Sequence, residues 1–142
     1  MIIREFLPED YTELIDLWEK SGLPYRGKGR DSRINIEHQI KKGNTKFLLA
    51  FEDEKLIGSV FISDDARKGW INRLAVIPEY RSRGIGSLLI KEAEKCFAAG
   101  GIEIYCCLIE DWNKSSIELF QKHDYICHPD IFYLTKRMNP EV

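Results

Sequence analysis

The stretch Leu74-Ala75-Val76-Ile77-Pro78-Glu79-Tyr80-Arg81-Ser82-Arg83-Gly84-Ile85-Gly86 decides the fold, because it joins an apolar run to a glycine-rich loop. The run Trp70 to Val76 predicts a strand, and apolar residues at helical spacing continue from Leu88 until Gly100-Gly101 ends the helix. Ile102 to Ile109 predicts a second strand, which a right-handed crossover would place parallel to the first. The quoted stretch therefore lies at the centre of a β-loop-α-β unit.

The chain before this unit predicts two helices and a meander of antiparallel strands. A first strand is predicted over Ile2 to Phe6, and an amphipathic helix follows it and ends near Gly22. A second helix is predicted near Ser32 to Lys42. The apolar runs Phe47 to Phe51 and Leu56 to Ile62, divided by a polar break of hairpin length, predict two antiparallel strands.

The chain after this unit predicts one more helix and two short strands. The helix is expected over Asn113 to His123, and the strands over Tyr125 to Cys127 and Ile131 to Thr135. A length of 142 residues suits one domain with a real core and is too short for two ordinary domains. We therefore expect a single domain over residues 1–142.

Charge and hydropathy exclude several classes of partner. The 21 basic and 23 acidic side chains nearly balance, so no strong positive field attracts nucleic acid. The N-terminus has no basic stretch followed by a long apolar run, and no segment is long enough to span a bilayer. We expect a cytoplasmic protein that binds neither nucleic acid nor membrane.

The cysteines and histidines indicate no metal site. The four cysteines form no C-x-x-C pair, and the three histidines have no recognised ligand spacing. Cys106 and Cys107 are neighbours in a predicted strand, so their side chains should point to opposite faces. We expect reduced, mainly buried thiols and no bound metal.

The glycine-rich loop has the chemistry of an anion site. Gly84 and Gly86 stand at a helix start, where backbone N–H groups lack intrahelical partners and the helix dipole favours negative charge. A side chain at either position would hold a phosphate away from these amides. Arg81 and Arg83 can add positive charge from the loop.

The order of these motifs resembles the GNAT superfamily of N-acetyltransferases over nearly the whole chain. The resemblance rests on a strand, the pattern Arg81-x-x-Gly84-x-Gly86, a helix, a further strand and a helix that begins at Asn113. It implies an α/β fold with a mixed, largely antiparallel central sheet, helices on both faces and a splayed pair of parallel strands. It also implies acetyl-CoA as co-substrate and direct transfer of its acetyl group to an amine, without a covalent enzyme intermediate.

The resemblance implies a set of residues that bind coenzyme A. The strand residues would pair with the pantetheine arm, the loop amides would hold the pyrophosphate, and the helix after the next strand would complete the site. The implied residues are Leu74, Ala75, Val76, Arg81, Ser82, Arg83, Gly84, Ile85, Gly86, Ser87, Asn113, Ser116 and Phe120.

The chain departs from the family pattern at Phe120. Many members have tyrosine there, whose hydroxyl can protonate the leaving thiolate, and phenylalanine cannot do so. Asp124 also replaces a glycine of that segment. The catalytic residues therefore stay unknown, with Glu110, just past a predicted strand, as a candidate base.

Two other functions are compatible with parts of the pattern. One is an acyl-CoA-binding regulatory module with weak or no catalysis, which the loss of the tyrosine at Phe120 would suit. The other is a dinucleotide-binding oxidoreductase beginning at Gly84-Ile85-Gly86. Leu89 occupies the third glycine position of that fingerprint, and several strands precede it, so the second alternative ranks low.

The acceptor amine is the least determined part of the function. By resemblance, the connection between the first two helices would line the acceptor pocket, which points to Tyr25 and Arg26, with Asn72 on the strand nearby. Basic residues from Arg26 to Arg33 could favour an acceptor that bears a carboxylate or phosphate. The sequence leaves open whether the amine belongs to a small molecule or a protein, and whether the chain forms a homodimer.

Overall fold

The computed structural model describes residues 1–142 as five strands and four α-helices. The strands are β1 (Ile2–Glu5), β2 (Thr45–Glu52), β3 (Lys55–Asp64), β4 (Gly69–Val76) and β5 (Tyr105–Cys107), and the helices are α1 (Tyr11–Ser21), α2 (Arg33–Ile40), α3 (Ile85–Ala99) and α4 (Lys114–Lys122). Short 3₁₀ turns, Pro8–Asp10 and Pro78–Tyr80, precede α1 and α3. None of the helices combines the length and apolarity needed to cross a membrane.

The five strands form one mixed sheet in the order β1-β2-β3-β4-β5. The first three pairings are antiparallel, and β4 pairs with β5 in parallel. Short connections join β2 to β3 and β3 to β4, whereas α1 and α2 lie between β1 and β2, and α3 connects the parallel pair. The prediction of a mixed, largely antiparallel sheet is confirmed.

Helices cover both faces of the sheet, as the resemblance implied. Gly58 of β3 faces α3, since a β-carbon there would lie 3.1 Å from Leu89 Cδ1. The next residue, Ser59, faces α1, because the indole N–H of Trp18 donates to its hydroxyl oxygen over 3.1 Å. Successive strand residues point to opposite faces, so α1 and α3 lie on opposite sides of β3.

The core is a single cluster of 24 buried apolar residues between these layers. On the α1 face, the ring of Phe47 lies 4.3 Å from that of Phe61 and 6.0 Å from that of Trp18. Burial of a large apolar side chain stabilises a fold by about 1.5–3 kcal/mol, so this aromatic group is a major part of the packing that holds α1.

Most predicted boundaries are confirmed within two residues. Gly22 ends α1 in the left-handed conformation with φ of 75°. Ser32 caps α2, because its hydroxyl accepts a hydrogen bond from the amide of Asn35 over 3.2 Å. The strand expected over Ile102 to Ile109 is shorter, since only Tyr105–Cys107 pairs with β4.

The two strands expected near the C-terminus are wrong. No residue after Lys122 lies in a strand, and no backbone hydrogen bond joins residues 126–138 to the rest of the chain. Phe132 and Leu134 are each 85% exposed. The residue types in Ile131 to Thr135 favour extended backbone, but a strand also needs a neighbour to complete its hydrogen bonds, and this chain supplies none there.

The expectation of mainly buried thiols is only partly correct. Cys96, Cys106 and Cys107 are partly buried, whereas Cys127 is exposed, and all four are free. Burial raises the pKa of the Cys107 thiol to about 11, and burial also raises the pKa of Cys106. Neither is an activated nucleophile at neutral pH.

Candidate active site

The two parallel strands are paired only along the first residues of β4. Their pairing covers only Gly69 to Ile71 of β4, opposite Tyr105 to Cys107 of β5. Beyond Ile71, β4 continues to Val76 with β3 as its only strand neighbour, and Val76 still pairs with Gly58. The opening lies at the carboxyl ends of both strands, which is where open α/β sheets bind ligands.

A bulge in β4 follows the segment that pairs with β5. Ser59 pairs with Ala75 and Phe61 pairs with Asn72, so Arg73 and Leu74 together stand opposite a single residue of β3. Arg73 has a positive φ of 54°. A bulge interrupts the ladder and redirects the neighbouring backbone groups, which is a common feature beside active sites.

Helix α3 follows β4 after the turn Pro78–Tyr80 and the glycine loop, and its first backbone N–H groups have no partner within the helix. Leu88 makes the first α-helical hydrogen bond of α3, to the carbonyl of Gly84 over 3.0 Å. The amides of Ile85, Gly86 and Ser87 therefore have no intrahelical acceptor. Gly84 itself has φ of 80°, and a β-carbon there would have no protein atom within 4 Å. The loop thus has open space beside Gly84, next to the free amides, where an anion could lie.

The two loop arginines have different partners. Arg81 donates from Nε to the carbonyl of Val76 over 3.0 Å and from a terminal nitrogen to the carbonyl of Ser21 over 3.1 Å. Its side chain therefore ties the end of α1 to the end of β4. The guanidinium of Arg83 lies 4.7 Å from the ring centroid of Tyr80. It is exposed and makes no ion pair, so it is the freer of the two charges.

Helix α4 packs its C-terminal half on the start of α3. A ring nitrogen of His123, Nε2, lies 2.9 Å from the hydroxyl oxygen of Ser87. At the other end, the side-chain oxygen of Asn113 accepts a hydrogen bond from the amide of Ser116 over 3.4 Å and caps the helix. The predicted contact of Asn113 and Ser116 with coenzyme A stays a prediction.

Phe120 is part of the core and has only 4% exposure. Its ring meets that of Tyr125 edge to face at 5.0 Å. The hydroxyl of Tyr125 donates to a carboxylate oxygen of Glu94 over 2.9 Å, and burial raises its pKa far above the usual range. Tyr125 is therefore a poor proton donor and does not replace the tyrosine that position 120 lacks.

The loop between α1 and α2 lies against β4. Tyr25 packs beside Trp18, with 6.4 Å between ring centroids, and its hydroxyl donates to Glu19. The amide of Arg26 donates to a carboxylate oxygen of Asp31 over 2.7 Å. Arg73 joins this loop to the strand that carries Asn72, so the predicted acceptor residues lie on connected elements.

The candidate base has no structural feature that distinguishes it. Glu110 is exposed in the turn between β5 and α4, where its backbone carbonyl accepts from the amide of Asn113 over 3.0 Å. Its carboxylate makes no hydrogen bond or ion pair. No group of three or more His, Cys, Asp or Glu residues could hold a metal ion.

Sequence reasoning missed the residues that hold the bulge and the acceptor loop together. Arg73, Asp31 and Ser59 form a buried polar network between α1, the loop and the sheet. The sequence contains one sign of this network in Arg73, a basic residue inside the apolar run Trp70 to Val76. A second sign is Asp31, an acidic residue in the basic segment from Arg26 to Arg33.

Comparison with known proteins relates this chain to acetyltransferases. The family model described as "Acetyltransferase (GNAT) family" matches residues 5–125. An acetyltransferase of Sodalis glossinidius is 31% identical over 140 residues, which is 97% of this chain and 96% of that protein. An acetyltransferase of Yersinia pestis is 32% identical over 140 residues, with the same coverage.

Solved structures agree with the sequence matches. The PaiA N-acetyltransferase from Thermoplasma acidophilum, in complex with coenzyme A, superposes with a TM-score of 0.77 at 26% identity, covering 86% of this chain and 87% of that one. An aminoglycoside 6'-N-acetyltransferase from Acinetobacter haemolyticus has the same fold, with a TM-score of 0.77, 17% identity and coverage of 98% and 100%. The edge of β4 that is left unpaired, the free amides of α3 and these matches agree, and the chain belongs to the GNAT family of acetyltransferases.

Proposed function

We propose that this chain transfers an acetyl group from acetyl-CoA directly to a primary amine. The observation that carries the proposal is the row of unpaired amides at the start of α3, the helix that follows the end of β4 that β5 leaves unpaired. Gly84 fits the co-substrate, because the space in front of its α-carbon is empty of protein atoms. A pyrophosphate would accept hydrogen bonds there from the amides of Ile85, Gly86 and Ser87.

The free edge of β4 suits the other half of the co-substrate. Between Asn72 and Val76 the edge that faces away from β3 has no strand neighbour, so its backbone groups can bond an extended pantetheine arm. An amide near the bulge, within Leu74 to Val76, would donate to the carbonyl oxygen of the thioester. This donor stabilises the negative charge that develops on that oxygen during attack.

The chemistry needs no covalent enzyme intermediate. The amine nitrogen forms a bond to the acyl carbon, the bond from that carbon to sulfur breaks, one proton leaves the amine and one reaches the thiolate. A thiolate with a conjugate pKa of about 8.5 is a tolerable leaving group, so water can protonate it without the missing tyrosine at Phe120. A lysine-like amine has a pKa near ~10.4 and must lose a proton first, for which Glu110 is the candidate base.

The structural relatives suggest which amines to test first. Their names describe a PaiA N-acetyltransferase and an aminoglycoside 6'-N-acetyltransferase. An aminoglycoside is therefore the first amine to test, and a polyamine, free amino acids and peptides with a lysine side chain or a free N-terminus extend the panel to other classes of primary amine. The measurements are heat of acetyl-CoA binding and release of free thiol with each amine.

A matched pair of glycine variants tests the co-substrate site. Gly84→Leu should abolish acetyl-CoA binding, because its side chain would fill the space in front of the amides. Gly101→Leu, at the far end of α3, is the control, since Gly101 also has a positive φ of 76° and open space around it. Both variants carry a similar backbone strain of about 1–2 kcal/mol, so only the first should lose binding. Equal binding by both variants would contradict the proposal.

The same measurements distinguish the second candidate function, an acyl-CoA-binding regulatory module. Burial of Phe120 at the position where the family has a catalytic tyrosine favours it. Such a module would bind acetyl-CoA, lose binding in Gly84→Leu and release no thiol with any amine of the panel. Thiol release above the rate of hydrolysis with at least one amine would exclude it.

A further inference from the structure

Arg73 is the one residue of β4 with a left-handed backbone. Its φ of 54° lies in the bulge, and the other residues of the strand have negative φ. This conformation costs an L-residue roughly 1–2 kcal/mol, and glycine would adopt it without that cost. Contacts of Arg73 with its surroundings must therefore offset the strain.

The side chain of Arg73 is nearly enclosed and makes three kinds of contact. One terminal nitrogen lies 2.7 Å from a carboxylate oxygen of Asp31, in an ion pair whose side chains are 14% and 10% exposed. The other terminal nitrogen donates to the carbonyl of Pro24. The guanidinium carbon lies 4.6 Å from the ring centroid of Trp18. Burial lowers the pKa of Arg73, but an arginine stays charged at neutral pH.

Asp31 connects this contact to the rest of the acceptor loop. The same carboxylate oxygen accepts from the amide of Arg26 over 2.7 Å. The backbone carbonyl of Asp31 accepts a hydrogen bond from the hydroxyl of Tyr11 over 2.9 Å. The segment from Pro24 to Asp31 is thus held to the bulge by a single side chain.

Ser59 of β3 holds the backbone of the bulge, whereas the loop contacts hold the side chain of Arg73. The hydroxyl of Ser59 donates to the carbonyl of Arg73 over 2.9 Å and accepts from the indole N–H of Trp18. Ser59 is completely buried. The position of the bulge, and of the amides just after it, is therefore set by the same network that holds the loop.

Stability alone is a weak reason for this arrangement. A buried ion pair contributes little net stability, because the cost of removing both charges from water roughly cancels their attraction. Backbone strain that is held by surrounding contacts is concentrated at functional sites. Here the strained residue stands between the loop predicted to bind the acceptor and the strand amides predicted to polarise the thioester.

We propose that Arg73 is a positioning residue that, through Asp31, fixes the acceptor loop relative to the bulge of β4 and so aligns the amine with the acyl carbon. The inference rests on the proposed acetyl transfer. Misplacement of a reacting group by about 1 Å can lower a rate by up to about 100-fold, so the loss of one well-placed contact can have a large effect.

The test compares three variants with the panel amine that wild type acetylates fastest. Arg73→Met removes the charge and retains the length, and Arg73→Lys restores the charge without the planar fork. We expect Arg73→Met to lower kcat/KM for the amine by about tenfold or more. Its dissociation constant for acetyl-CoA, measured by calorimetry, should stay within about twofold of wild type, and Arg73→Lys should recover part of the loss. The third variant, Arg4→Met, breaks another ion pair, with Asp10, outside the cleft, and it should leave both constants unchanged.

The outcomes separate this inference from the function on which it rests. Acceptor kinetics of Arg73→Met equal to those of wild type, or no recovery in Arg73→Lys, would overturn the positioning role. A parallel loss of acetyl-CoA affinity in Arg73→Met would also overturn it, since the effect would then be a general distortion of β4. Absence of acetyl-CoA binding or of thiol release by wild type would refute the proposed function itself, and the inference with it.

Discussion

A β-carbon placed on Gly86 would lie 2.9 Å from Cδ2 of Leu119, so α3 and α4 meet at a glycine. Alanine is favoured over glycine inside a helix by about 1 kcal/mol, which alone would make Gly86→Ala stabilising. The contact with Leu119 opposes that gain, because the leucine must move. We therefore expect Gly86→Ala to change the free energy of unfolding by less than about 0.5 kcal/mol.

The Leu119→Ala background separates these two effects. There the overlap is absent, and Gly86→Ala should stabilise the protein by up to about 1 kcal/mol. Urea unfolding of the four members of this double-mutant cycle measures the coupling. The same gain from Gly86→Ala in both backgrounds would show that the contact imposes no cost.

The sequence predicts the local structure around the glycine loop well because that structure follows from local rules. An apolar run, the two glycines at a helix start and a helical apolar pattern are each readable within a few residues. The positions of Gly22 and Ser32 at helix ends follow from the same kind of rule. The GNAT family and the mixed sheet could therefore be predicted from residue order.

Long-range pairing could not be predicted in the same way. The resemblance implied a splayed pair, but how far β5 pairs with β4 and where the bulge at Arg73 falls are relations between strands. The buried ion pair of Arg73 with Asp31 joins residues 42 positions apart. The failure at Ile131 to Thr135 has the same origin, because its residue types indicate extended backbone without identifying a partner.

Ser59 is a completely buried hydroxyl with two hydrogen bonds, so its removal should be costly. Ser59→Ala leaves the indole N–H of Trp18 and the carbonyl of Arg73 without partners. An unsatisfied buried polar group costs about 1–3 kcal/mol, and we expect a loss of stability in that range. Thermal or urea unfolding measures it.

Two further variants test the cause of that loss. Ser63→Ala, on the same strand but partly exposed, should change stability by less than about 0.5 kcal/mol. Trp18→Phe lacks the indole N–H, so Ser59→Ala should cost less in that background. An equal cost in both backgrounds would mean that the hydrogen bond to Trp18 contributes nothing.

Asp10 should make the stability depend on pH in the acid range. The guanidinium of Arg4, with nitrogens 2.7 and 2.9 Å from the two carboxylate oxygens, lowers the pKa of Asp10 in the folded chain, and the amide of Leu7 lowers it further. The unfolded chain takes up the proton at about pH 3.9. The stabilisation is therefore complete above that pH and is lost as pH falls through the lower folded value.

Asp10→Asn isolates this contribution. We expect it to lower the free energy of unfolding by about 1–2 kcal/mol near pH 7, a moderate value because Arg4 is partly exposed to solvent. The difference from wild type, measured by urea unfolding at several pH values, should shrink below about pH 4 as the wild-type carboxylate becomes protonated. A difference that stays constant between pH 7 and pH 2 would contradict the assignment.

The cysteines should differ in reactivity because they differ in exposure and in thiol pKa. Burial raises the pKa of Cys107 to about 11, so its thiol stays protonated in nearly every molecule at pH 8. Cys127 is exposed. We expect iodoacetamide at pH 8 to modify Cys127 first and Cys107 far more slowly, as mass spectrometry of peptides would record.

Two controls test the cause of this difference. In Cys127→Ser the fast reaction should disappear. In guanidinium chloride all remaining cysteines should react at similar rates, because unfolding removes the burial that raises the pKa. Fast modification of Cys107 in the folded chain would show that its thiol is accessible and ionised, and a role for it in the acetyl transfer would then have to be tested.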